Sequence, residues 1–353
     1  MATQTLRKII AVLMVLVTTV GALEALFRMG IFFNVSYFRD PGRYTDWTSD
    51  DDYWKLRHLW QKKVTASSSE VLDPILGWSP NRSVENPLGV VGIHPKSVRY
   101  DEPAVLMYGD SFIQGKGPWK ERLAWKLHQE LGSTPTYNLG VRGYGLDQIV
   151  LKFQQTHHYF KHPIIVLGIL TVDLDRSVLK FRTGQKPQFV FRGDELALAG
   201  LPIFPSPQKW VDQNPPLIRS YFFSFLERQW ELSRSVNELE IEAGREEKKK
   251  LSAKILELVF SEASAKKIPI VTILFYNQAE MTYVGWREVF LKQQFTTSRL
   301  PFIDSKQILN DESRRLQTPI ESWYDSEGHL NERANELIAK ESARTMKALG
   351  WTR

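Results

Sequence analysis

Ala104-Val105-Leu106-Met107-Tyr108-Gly109-Asp110-Ser111 is a short apolar run that ends abruptly in a glycine, an acid and a serine. An unbroken apolar stretch of this length, closed by turn residues, reads as a strand covered on both faces. The serine then stands at a strand-to-helix turn. Outward from it the same unit recurs. Trp119 to Leu131 is patterned as an amphipathic helix closed by Gly132, and Thr136 to Leu139 as a second strand ended by Gly140. Leu146 to Phe160 is a second helix, and Pro163 to Leu170 a nearly continuous apolar strand. Further on come a helix from Glu246 to Lys266, strands at Pro269–Phe275 and Pro301–Asp304, and a last helix from about Asn331 to Leu349. Strands alternating with helices of this length predict an α/β fold, a mostly parallel five-stranded sheet between helical layers.

The regions around this core read differently. Residues 34–100 are rich in aromatics, Asp and turn residues, and predict a wrapping segment of short strands and turns packed on a main domain at 101–353. Within that domain the alternation breaks at about 177–245, which predicts an inserted cap rich in Pro and aromatics. The charge run from Glu238 to Lys250 reads as a solvated helix start. At the N-terminus, Arg7 and Lys8 precede an apolar run from Ile9 to Leu23 that continues past Glu24 and Arg28 to Phe33. A basic flank before such a run predicts a single uncleaved signal-anchor over residues 1–33, with the remainder exported. A cleaved signal and a buried helix are the alternatives. The expected location is the cell membrane, with the main domain on the periplasmic or extracytoplasmic side.

Composition removes several function classes. The 353 residues include no cysteine, so disulfides, zinc-thiolate sites, iron–sulfur clusters and cysteine nucleophiles are excluded. The 46 basic and 40 acidic residues give only +6, with no basic stripe interleaved with aromatics, so no nucleic-acid partner is expected. His157, His158 and His162 lack carboxylates at ligand spacing and read as helix-end surface residues. No metal and no cofactor is implied.

In an open parallel sheet, ligands bind beyond the carboxyl ends of the strands. Four segments fall on that rim: Gly109 to Phe112, Asn138 to Gly145, Gly168 to Asp173, and Trp323 to Asn331. A serine hydroxyl is a weak nucleophile and needs a base beside it. Ser111 is the candidate nucleophile and His329 the candidate base, with Asp325 or Glu327 to orient the imidazole. The Ser111 N–H and a glycine N–H of the second segment are candidate oxyanion donors. The glycines at 140, 143 and 145 are not a P-loop, since no Gly-Lys-Ser/Thr follows.

These motifs resemble the SGNH (GDSL-type) hydrolase superfamily, over Ala104 to Leu349 with an insertion. Gly109-Asp110-Ser111-Phe112 is similar to its first block, Asn138 to Gly145 to its second, and Asp325 to His329 to its last. The resemblance implies a flavodoxin-like three-layer α/β/α sandwich, with Ser111 as nucleophile, Gly140 or else Gly143 in the oxyanion hole, and Asp325 as acid with Glu327 as the alternative. The third block departs from the pattern. Val172 stands where an asparagine donor is normal, so either Thr171 or another group substitutes, or the oxyanion hole has lost a donor. Asp110, Asn138, Asp173 and Arg176 share the rim as candidate substrate contacts, although Asp173 and Arg176 fit a helix-capping role equally. The expected activity is that of a membrane-anchored serine esterase removing acyl groups, acetyl foremost, from an acylated carbohydrate or lipid of the cell envelope. An O-acyltransferase modifying an envelope polysaccharide and a catalytically degenerate glycan-binding or assembly protein are the alternatives. Nothing in the sequence bears on oligomeric state.

Overall fold

The computed structural model describes residues 2–61, 70–83, 86–91, 98–132, 134–233 and 244–352. They fall into two units: residues 1–64 with 206–241, and residues 65–205 with 242–353.

The second unit carries the sheet. It opens with an antiparallel hairpin, Glu70–Asp73 (β1) and Gly77–Pro80 (β2). Ala104–Tyr108 (β3), Thr136–Asn138 (β4) and Pro163–Leu170 (β5) follow. A second hairpin, Gln188–Arg192 (β6) and Glu195–Ala199 (β7), precedes Ile270–Phe275 (β8) and Phe302–Asp304 (β9). Every residue of β3, β5 and β8 is buried, which is why their sequences are apolar without alternation. The five-stranded sheet runs β4-β3-β5-β8-β9, and each neighbouring pair is parallel. This is the flavodoxin-like order, whose direction reverses between β3 and β5. Right-handed crossovers therefore put the helices before and after β4 on opposite faces. Accordingly Leu123–Glu130 packs with Glu332–Ala348, while Leu146–Thr156 packs with Arg245–Ala265.

At the carboxyl edge the short helix Ser111–Gln114 sits directly on the strands. A Cβ at Gly109 or Gly168 would stand 2.4 Å from Ile113 Cγ1, and one at Gly140 2.5 Å from the Gln114 amide nitrogen. Three strand-end glycines thus let the serine-bearing turn approach closer than any side chain would permit.

The first unit is built on the helix Ala2–Phe32. Its segment Gln4–Phe32 is long and apolar enough to cross a membrane. Phe27 of this helix forms a small core with Tyr44 and Leu56, against which Tyr221, Phe222 and Phe225 pack.

The domain boundaries differ from the expectation. Residues 34–100 are not one wrapping segment: those up to 64 cluster with the N-terminal helix, whereas Leu76, Trp78, Leu88 and Val90 join the sheet's core. Residues 51–60 form a helix started by the Asp50 carboxylate, which accepts from the Asp52 N–H, rather than strands and turns. The insertion at 177–245 is likewise divided, its hairpin β6–β7 belonging to the sheet unit and 206–241 to the other. His157 is a further correction. It is buried, stacked on Phe153 at 4.3 Å between ring centroids, with Nε2 3.2 Å from Glu262. His158 and His162 are exposed.

Candidate active site

β3 delivers its serine at the point where the sheet order reverses. Asp110 caps the helix that follows, its Oδ1 accepting from the Phe112 N–H at 2.8 Å. From the far end of the chain, the turn Asp325–His329 brings an imidazole to the same place. His329 Nε2 lies 3.0 Å from Ser111 Oγ, across 218 residues of sequence. The hydroxyl can therefore pass its proton directly to the ring. Burial pushes the His329 pKa down; the negative charges of Asp110 and Asp325 oppose this, and Lys116 adds to it. The net shift is downward, so the ring is neutral at neutral pH and able to accept a proton. Phe112, 5.5 Å from the imidazole between ring centroids, and Phe275, 5.4 Å from Phe112, wall the dyad with apolar surface.

The third member is not where the sequence spacing puts it. Asp325 Oδ1 accepts from the backbone N–H of Glu327 at 2.8 Å and of His329 at 2.9 Å. That carboxylate closes its own turn. Glu327 is exposed and paired with Lys116. His329 Nδ1 is buried with no hydrogen-bond partner among the described residues. The carboxylate nearest the nucleophile is Asp110, whose Oδ2 lies 3.4 Å from Ser111 Oγ.

Asp110, Asn138, Asp173 and Arg176 lie beneath the site rather than in it. All four are buried. Arg176 Nη1 donates to Asp110 Oδ2 at 2.7 Å and to Asp173 Oδ1 at 2.6 Å. Asp173 Oδ2 accepts from the Leu170 N–H at 2.9 Å. Burial and the charge of Asp110 push the Asp173 pKa well up, with Arg176 opposing. Asn138 Nδ2 donates to the Ile113 carbonyl at 2.8 Å and so ties β4 to the serine-bearing helix. These groups form a buried network that holds Ser111 in position.

The oxyanion donors also differ from the expectation. The Gly140 N–H donates to Asn138 Oδ1 at 3.0 Å, and Thr171 Oγ1 donates to Glu280 Oε2 at 2.6 Å. Val172 is apolar and buried. Among the described residues, the N–H groups of Ser111 and Gly143 have no intramolecular acceptor. Gly143 adopts φ +81°, and the place its Cβ would fill lies 2.2 Å from Arg182 Nη1, so a guanidinium stands beside it.

Glu280 was missed by the sequence reading. It stands just beyond β8, and extending the strand-end rule to that fourth strand finds it. The ion pair between Lys116 and Glu327 carried no local signal, because its partners are far apart in sequence.

No family model matches this chain, and no curated protein matches it. Solved structures do resemble it. Among these are lipolytic G-D-S-L proteins and an esterase. One is a member of the lipolytic G-D-S-L family from Veillonella parvula, 14% identical with a TM-score of 0.41, over 70% of this chain and 99% of that one. Another is the lipase/acylhydrolase from Enterococcus faecalis, 12% identical with a TM-score of 0.42, over 70% of this chain and 97% of that one. A two-domain esterase active on acetylated mannans is 10% identical with a TM-score of 0.39, over 71% of this chain and half of its own length.

Proposed function

We propose that this chain is a serine esterase of the SGNH type, anchored in the membrane by its N-terminal helix. It removes an acyl group from an ester of the cell envelope, carbohydrate or lipid, through an acyl-serine intermediate. The observation that carries this reading is the 3.0 Å approach of His329 Nε2 to Ser111 Oγ. Ser111 Oγ attacks the ester carbonyl while His329 takes its proton. The N–H groups of Ser111 and Gly143, which have no acceptor among the described residues, are the donors this reading assigns to the oxyanion. His329 returns the proton to the leaving alcohol, and water then releases the acyl group by the same route. Acetyl is the acyl group favoured, because Ser111 is only 8% exposed and aromatic rings crowd the dyad. Arg7 and Lys8 before the apolar helix support a cytoplasmic start for it and a catalytic unit outside.

Tyr221, Phe222 and Phe225 of the insertion pack on the N-terminal helix, so these three rings do not argue for a sugar over a lipid substrate.

One observation favours a second reading, the degenerate binding protein: Gly140, Thr171 and Val172 all fail to offer a donor. Release of p-nitrophenol from p-nitrophenyl acetate by the full chain separates the two. Turnover abolished by Ser111→Ala and by His329→Ala supports the esterase; no turnover by the folded native chain supports the binding protein. An acyl group appearing on an added oligosaccharide instead of in water would make the protein a transferase.

A further inference from the structure

Phe223, Leu226 and Trp230 stand at i, i+3 and i+7 of the helix Tyr221–Ser233, and are 54%, 45% and 64% exposed. The spacing puts them on one face. The adjoining face, about 100° round the helix, is also apolar: Phe222 and Phe225 meet Phe27 of the N-terminal helix edge-on and tilted, at 5.8 and 5.2 Å between ring centroids. A helix with so wide an apolar arc is one whose neighbours bury all of it. Isolated exposed apolar residues are ordinary, whereas a stripe of three large ones marks a contact surface.

What covers the stripe follows from where the helix begins. The Glu24 carboxylate accepts from Ser220 Oγ at 2.7 Å and from the N–H groups of Phe222 at 3.0 Å and Tyr221 at 3.3 Å. It also pairs with Arg28 at 2.7 Å, and Arg28 reaches the Arg219 carbonyl at 3.0 Å. Glu24 belongs to the helix whose segment Gln4–Phe32 is long and apolar enough to span a membrane. At about 1.5 Å per residue it lies roughly 22 Å beyond Ile9, inside a hydrocarbon layer about 30 Å thick. A carboxylate at that depth requires partners. The first turn of Tyr221–Ser233 supplies them, and so begins at the level of the far leaflet's acyl chains.

We propose that Tyr221–Ser233 is an interfacial helix, lying in the leaflet opposite the N-terminus with Phe223, Leu226 and Trp230 seated among lipid. The proposal rests on the membrane-span reading of the N-terminal helix. Leu217, four residues before the helix, is 79% exposed, and Phe32 and Phe33 at the end of the span are 75% and 68% exposed. Glu227 and Gln229 are exposed beside the stripe, and Arg228 is held away from it by Asp46 and Glu231 at 3.3 and 2.8 Å. A tryptophan between apolar and polar neighbours suits the headgroup boundary. The helix thus anchors its unit along the membrane plane as well as through it.

The absence of cysteine makes the test direct. Val15→Cys, Leu226→Cys, Gln229→Cys and Trp230→Cys would each be nitroxide-labelled in the full chain and reconstituted into phosphatidylcholine vesicles. Collision with oxygen, which partitions into lipid, is compared with collision with a nickel chelate, which stays in water. The proposal expects an oxygen-to-nickel ratio several-fold higher at 226 and 230 than at 229, and highest at 15. A lipid reading at 15 with water readings at 226 and 230 overturns the interfacial helix and leaves the span intact. A water reading at 15 overturns both. Spin–spin broadening at 226 and 230 that disappears on dilution with unlabelled chain would assign the stripe to a second copy, and overturns the lipid assignment.

Discussion

Asp325→Asn is the substitution on which two accounts of the site diverge most. Where a buried carboxylate fixes the histidine tautomer through Nδ1, the change to Asn costs about 10⁴ in kcat. Here Asp325 Oδ1 instead accepts two backbone N–H groups, those of Glu327 and His329, at 2.8 and 2.9 Å. An asparagine oxygen retains both bonds, so the turn and the imidazole stay in place. What is lost is a negative charge that favours the imidazolium through space, and Asp110 exerts a larger effect of the same kind. A loss of about tenfold in kcat/KM, about 1.4 kcal/mol, is expected. Asp325→Ala removes both bonds, each worth about 1.5–3 kcal/mol to a charged acceptor. It therefore lowers stability and activity together. The assay is ester hydrolysis by the full chain in detergent, with denaturant unfolding in parallel. A fall of 10³ or more for Asp325→Asn, at native stability, would refute the turn-clamp account and make Asp325 the orienting acid.

Four further outcomes follow from the same geometry. Protonated His329 cannot accept the serine proton, so activity falls as pH drops through its pKa; burial holds that pKa below the ordinary value of about 6.5, and the half-maximal rate lies below that pH. Lys116→Met removes a charge that favours the neutral ring and moves this acid limb upward, which a pH–rate profile of both chains would show. Arg176→Met leaves Asp110 and Asp173 buried without their cation and costs about 3–5 kcal/mol at neutral pH by denaturant unfolding. That deficit shrinks in acid, where the already raised Asp173 takes up a proton. Gly140→Ala places a methyl group against the Gln114 amide and Ile113, costs about 1–3 kcal/mol, and lowers kcat more than it raises KM because it displaces the serine-bearing helix.

The sheet was legible because burial on both faces leaves β5 and β8 almost without polar residues, and burial alone produces that pattern. The place of Ser111 was legible for a related reason: in a parallel sheet every strand delivers its next residue to one rim, while His329 was legible from its own motif just before the last helix. Spacing, however, counts residues and does not give the direction of a side chain. Gly328, at φ +79°, folds the turn so that two N–H groups face Asp325, and only coordinates reveal which way that carboxylate is drawn. Gly140 was a reasonable donor until the amide of Asn138, two residues earlier, was found to take its N–H. The engagement of Thr171 depends on Glu280, 109 residues away. Helix 51–60 escaped notice because its sequence is dominated by the Asp and aromatic residues that also mark turns, although Asp50 serves as its cap. The union of 206–241 with the N-terminal helix is a long-range pairing, settled by Glu24 and Phe27, and no local pattern announces it.

The central claim is that Ser111 is a nucleophile activated by His329. It is tested most directly by treating the full chain with a fluorophosphonate and locating the adduct by mass spectrometry of its peptides. The account predicts a single adduct, on Ser111, forming about 10²–10⁴ times more slowly in His329→Ala. Labelling of another residue, or equal rates in the two chains, would contradict it.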